Sequence, residues 1–204
     1  MRDTTRTRVR EGLGRLKIRR RPSAMRFGSR SRVLAALIVA VVAYGAGGSA
    51  RAFELRSPTF SPGGEIPGKH TCDGPDLSPA LHWSDPPANA KVFALIVDDP
   101  DAPGGPWVHW VLFGVPGTVR ELLEGVPRQE TVSGIGTQGL NDFRTVGYGG
   151  PCPPQGPSHR YFFRLYALDT ALVLPPRSTK AQVLKAVEGH ILGQVELIGR
   201  YRRK

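Results

Sequence analysis

Two side chains capable of proton transfer, His159 and Tyr161, stand two residues apart at the start of HRYFFRLYALD, directly after the glycine- and proline-crowded turn GYGGPCPPQGPS. Strand alternation would place both on one face, with Arg160 and Arg164 on the other. An imidazole beside a phenol can donate to an oxyanion or accept from it. The histidine could equally be a core residue satisfied by a backbone carbonyl, and this stretch alone leaves both readings open. A second group of candidates closes an apolar run: Asp98, Asp99 and Asp101 need backbone N–H groups, a cation or a ligand cavity at such a place. Asp98 and Asp101 are expected to bond their own turn, whereas Asp99 alternates away from Asp98 and is the one that could line a pocket. His109, in WVHWVLF, has large apolar neighbours that favour its neutral form unless a carboxylate such as Asp99 compensates. His70 and Cys72 form a single pair with ligand spacing; a structural metal site needs a second pair, so no metal is expected.

Positioning these groups calls for a mainly β chain. Lys91–Asp98 carries six consecutive apolar residues and predicts a central strand buried on both faces. Trp107–Val115 predicts its hairpin partner, with Trp107, His109, Val111 and Phe113 on one face, and the hairpin would carry Asp99 to His109. His159–Asp169 predicts a strand with His159 at the first position of a buried edge; Phe53–Ser57 and Gln194–Tyr201 predict the opening and closing strands. A short helix is expected over Thr118–Glu124, followed by a weakly patterned loop to Gly139. A second helix begins at Ser178 or Thr179, where Thr179 and Gln182 have capping-box spacing. Val183, Leu184, Val187 and Ile191 form its apolar stripe and Gly189 its stop.

The chain has 204 residues and a formal net charge of +11. That charge is confined to the N-terminus: residues 1–32 carry twelve basic side chains against Asp3 and Glu11, while residues 53–204 carry fifteen of each sign. The main body therefore lacks the basic footprint of a phosphate-backbone reader, and no nucleic-acid partner is expected. The apolar run VLAALIVAVVAY, residues 33–44, is shorter than the ~20 residues of a membrane span. Basic residues before it and Ala50-Arg51-Ala52 after it predict a secretory signal starting at Met25 and cut after Ala52. The alternative is an uncleaved signal anchor, with membrane contact through the leader only. Residues 1–52 are thus read as leader and residues 53–204 as one domain, exported to the periplasm or the medium. In an oxidising compartment Cys72 and Cys152, the only two cysteines, could pair, although spacing does not show that their Cα atoms come close enough.

TCDGPDLSP, IVDDPDAP, WVHWVLF, GYGGPCPPQGPSHRYFFRLYALD and VELIGRY occur in that order between Phe53 and Tyr201. Together they resemble the phosphatidylethanolamine-binding protein (PEBP) family, and within it the bacterial Raf-kinase-inhibitor-like branch. The resemblance implies a β-rich α+β fold with a large central antiparallel sheet, a smaller second sheet and few peripheral helices. It also implies a small pocket for phosphate-type head groups, built here from Asp99, His109, backbone at Cys152, Pro153 and Pro154, and the side chains of His159 and Tyr161. Eukaryotic relatives carry a further C-terminal helix at the pocket rim, whereas this sequence stops soon after Tyr201. Lipid head-group binding and kinase inhibition are therefore not carried across.

The function expected is that of an exported, regulatory binder of a small anionic ligand, not an enzyme, with no cofactor. Two rivals belong to other classes. One is a weak hydrolase using Asp99 and His109 as acid and base, with Cys152 or Ser158 as nucleophile. The other is an interaction protein whose partner is a secreted hydrolase or kinase. A homodimer stays open.

Overall fold

The structure is a computed structural model that describes residues 52–203; the expected signal segment and start site lie outside the described residues. Among them, two antiparallel sheets and one α-helix make up the architecture. The smaller sheet is ordered β1 (Glu54–Arg56), β2 (Leu81–Ser84), β5 (Glu121–Leu122). The larger runs β6 (Thr131–Val132), β7 (Gly136–Gln138), β4 (Trp107–Pro116), β3 (Val92–Asp99), β8 (His159–Leu168), β9 (Ile191–Tyr201).

β3 is central because it must hide both faces. Phe93, Leu95 and Val97 enter the core between the two sheets, with Trp83, Leu122, Phe163 and Leu197. Ala94 and Ile96 enter a second core, under helix α1 (Lys180–Val187), with Val183 and Val187. That double burial is why the strand reads as an unbroken apolar run. β8 is likewise internal, paired with β3 on one side and β9 on the other, so His159 opens an inner strand and not an edge.

Simple alternation fails in β4. Val97 pairs with Trp110 and Asp98 with Val108, which leaves His109 as an extra residue in a β-bulge. Val108, Val111 and Phe113 consequently face the helix-side core, while Trp110 and Leu112 face the other. His109 lies on the same side as its neighbour Trp110, with its ring 5.1 Å from that of Tyr161. The expected grouping of His109 with Val111 and Phe113 is therefore corrected: the bulge re-aims one imidazole out of register with the strand. A second irregularity lies opposite Ala94, where Gly114 takes a φ of +67°, a conformation that suits glycine.

Three other expectations change. Thr118–Glu124 is not helical: Leu122 is buried and Leu123 is 70% exposed, a period of two, and the segment completes the small sheet against β2. The loop up to Gly139 contains β6 and β7, pinned by the buried Gln138 side chain, which accepts from Trp110 Nε1 and donates to the carbonyls of Pro127 and Gln129. Ile191 belongs to β9, which begins earlier than expected, because the helix ends at Val187. The capping box is present, with the Thr179 hydroxyl accepting from the Gln182 amide and the Gln182 side chain accepting from the Thr179 amide. Thr179→Ala is expected to lower stability by about 1 kcal/mol, read as a shift in the urea midpoint; an unchanged midpoint would make the cap dispensable.

Candidate functional site

Because β4, β3 and β8 are neighbours, the end of β3 and the starts of β4 and β8 meet at one end of the large sheet. Asp99, His109, Cys152, Pro153, Pro154, His159 and Tyr161 all line one cavity there, of about 280 Å³.

The polar floor is ordered by β3. Asp99 Oδ2 accepts from His159 Nδ1 at 2.8 Å, and Asp99 Oδ1 accepts from the Asp101 amide at 2.8 Å; both side chains are buried. The carboxylate thus serves His159, where the sequence had pointed to His109. The bulge gives His109 a different partner: its Nδ1 donates to the Gly149 carbonyl at 2.6 Å. Burial pushes the pKa of His109 down, opposed by the Gly149 carbonyl and the Asp99 charge. Tyr161 is nearly inaccessible, and among the described residues its hydroxyl makes no hydrogen bond of normal geometry, although it lies close to the Asp99 carboxylate. Burial pushes its pKa up and the negative charge of Asp99 adds to that, so the hydroxyl keeps its proton.

Asp98 and Asp101 do not form the local turns expected of them. Asp101 clamps Arg160, accepting from its amide, Nε and Nη2, and that guanidinium holds the Asp101 carboxyl down to about 2. Asp98 faces the helix side of the sheet and binds Arg164 and Lys180. The turn-type bond belongs to Asp99 instead.

The proline-rich loop supplies shape more than donors. Pro153 and Pro154 have no N–H, the Gly149 amide donates to His109 O, and the Gly150 amide donates to Asp76 Oδ1. A row of turn amides aimed at a ligand is therefore not what the loop provides. It is anchored from behind: Cys72 and Cys152 are disulfide-bonded with Cα atoms 5.4 Å apart, the Cys72 amide donates to Pro151 O, and Tyr148 OH donates to His70 O at 2.8 Å.

Sequence reasoning missed the rim. Trp107, Phe143, Ala102 and Pro103 complete the lining. Phe143 meets Trp107 edge to face at 5.5 Å between centroids and His109 at 5.4 Å. Its turn is set by Asn141, which is buried, accepts from the Thr145 amide and hydroxyl, and donates to Gly147 O. The available signal was the Asn-Asp pair directly before an aromatic residue in an otherwise polar turn.

The fold is thus a two-sheet β protein with a proline-walled pocket at one end of its larger sheet, its polar groups set among apolar walls. Residues 56–202 match the phosphatidylethanolamine-binding protein family, and the chain belongs to it. A UPF0098 protein of Methanothermobacter thermautotrophicus is 52% identical over 149 residues, covering 73% of this chain and 98% of that protein. A UPF0098 protein of Aquifex aeolicus is 49% identical over 173 residues, covering 84% and 99%. Among solved structures, a PEBP homologue from Chlamydia trachomatis matches with a TM-score of 0.69 at 42% identity, covering 75% of this chain and 99% of the other. A protein of E. coli described as a member of the mammalian PEBP family matches with a TM-score of 0.70 at 34% identity, covering 76% and 100%.

Proposed function

We propose that the chain is an exported, non-enzymatic binder of small oxyanions of the phosphate or phospho-head-group type. The observation that carries this reading is the convergence of Asp99, His109, His159 and Tyr161 on one cavity, with the His159 imidazole fixed through Nδ1 on Asp99. With Nδ1 of His159 and His109 each turned to a protein acceptor, the remaining nitrogen, Nε2, is an acceptor in the neutral ring. It becomes a donor to an anion only when a proton is added. Binding therefore takes up a proton and strengthens as pH falls. Among the described residues no Lys or Arg lines the cavity, so the bidentate contacts that hold phosphate tightly are missing and the affinity is weak.

Two further facts favour binding over hydrolysis. The sulfur of Cys152 is consumed in the disulfide, and the Ser158 hydroxyl donates to Tyr201 O at 3.3 Å. The bonds found for these two atoms are thus to Cys72 and to a backbone carbonyl, not to an imidazole. Export is supported by the leader pattern and by a disulfide that an oxidising compartment would maintain.

Sulfate tests the reading, since its charge does not change between pH 5.5 and 7.5 and any pH effect belongs to the protein. Calorimetric titration of the full chain is expected to show tighter sulfate binding at the lower pH, since only a protonated Nε2 donates to the anion, and no measurable binding for His159→Ala. Equal affinity in both proteins would remove the site. Affinity that rises with pH would invert the proton bookkeeping.

A further inference from the structure

The two edges of the large sheet are unequal. β6 is two residues long, whereas β9 runs eleven residues and has β8 as its one neighbour in the sheet. A long edge strand is a template for another strand unless something blunts it. Over the C-terminal half of β9 something does: the Gly63 amide donates to Ile198 O and the Ile66 amide to Arg200 O, both at 2.7 Å, while the Arg200 amide donates to Gly64 O at 2.8 Å. Those bonds also fix which residues turn their backbone outward. Ile198 and Arg200 do, so by the alternation of an antiparallel ladder Gln194 and Glu196 do as well. Among the described residues, nothing beyond β8 bonds the backbone of Gln194 or Glu196. No Pro or Lys guards this stretch, and its one charge, Glu196, is drawn back across its own sheet to Arg164 at 3.3 Å. Beside it, Ile191 and Leu192 are 43% and 39% exposed.

From that edge we infer that two copies of this chain associate through β9, pairing antiparallel about a two-fold axis at Val195 and joining their large sheets into one. Symmetry makes the contact self-complementary, and the side chains choose the register. An axis at Glu196 would set two carboxylates face to face, which is destabilising. An axis at Gln194 would set Glu196 against the apolar Leu192. With the axis at Val195, Glu196 of each copy lies opposite Gln194 of the other, whose side-chain amide donates to the carboxylate. Each such pair exchanges both of its backbone N–H···O=C bonds. One step further out, Leu192 meets Ile198 of the second copy. The ladder stops there, where residues 63–66 already cover the strand. So short an interface makes a weak, reversible dimer. β9 contributes no residue to the cavity, so the inference stands apart from the oxyanion reading.

Sedimentation equilibrium of the full-length protein, taken up to ~300 µM, tests the inference and is expected to show a monomer–dimer equilibrium. Gln194→Pro deletes an outward-facing N–H and leaves the ladder to β8 its bonds, so it should be monomeric with an unchanged urea midpoint. Gln194→Glu opposes two carboxylates at both symmetry-related positions and should raise the dimer dissociation constant roughly fivefold. Gln194→Lys puts an ammonium opposite Glu196 and should lower that constant by about the same factor. The lysine is the sharpest arm, because a lysine on a sheet edge ordinarily suppresses pairing, and tightening is expected only of this register. If the proline variant fails to fold, the two charge variants decide alone. A protein that stays monomeric throughout overturns the inference. So does a dimer that persists in a folded Gln194→Pro, or one that Gln194→Lys weakens.

Discussion

Replacing Cys72 and Cys152 together by serine is expected to lower the unfolding free energy by about 4 kcal/mol. The bond closes a loop spanning 80 residues, and the chain-entropy model assigns roughly 4–5 kcal/mol to a loop of that length. The effect acts mainly on the unfolded chain, which regains freedom that the bridge had removed, so the unfolding rate should change less than the folding equilibrium. The folded pocket loop keeps other anchors: the Cys72 amide on Pro151 O, the Gly150 amide on Asp76, and Arg128 on the same carboxylate at 2.5 Å. Urea denaturation of the oxidised protein and of the double variant measures the difference. A loss below 1 kcal/mol would mean that the unfolded chain retains structure around the bridge and that the entropic account fails here.

How far the site was legible depends on which residues obey a local rule. His159 and Tyr161 do, because β8 keeps strict alternation from His159 to Ala167 and delivers both to one face. Asp99 also does, as the last residue of a strand buried on both sides. His109 does not. Its direction comes from a bulge that two strands negotiate together, and nothing in WVHWVLF alone states where the extra residue falls. The Asp99 to His159 bond was hidden for a related reason: it spans 60 positions and depends on β8 lying next to β3, which is a fact of sheet order. The small sheet was the least visible element. β2 and β5 are four and two residues long, too short for a periodicity to register, and they exist because each supplies the other's edge. Phe143 escaped because its one local sign, the Asn141-Asp142 pair before it, gains meaning only once the ring is seen beside Trp107 and Gly149.

The second large effect concerns the other face of β3. Asp98 is only 5% exposed at its side chain and is held by Arg164 Nη1 at 2.6 Å and by Lys180 Nζ. Arg164 adds a contact over the Phe162 ring at 4.6 Å, and Lys180 is the first residue of α1, so this carboxylate ties the helix to the central strand. Removing both cations, as Arg164→Met with Lys180→Met, leaves a charge buried without compensation and is expected to cost about 3–5 kcal/mol. Asp98→Asn alone should cost less, about 2 kcal/mol, since the two cations it abandons are each about a quarter exposed and can rehydrate. The decisive measurement is the triple variant. If the penalty arises from a desolvated carboxylate, adding Asp98→Asn to the double methionine variant should recover stability in urea, because it removes the buried charge and keeps a polar amide in its place. If the triple variant is instead less stable than the double, the cations act through packing of their alkyl chains over Phe162 and the helix, and the buried charge is not what fastens α1 to the sheet.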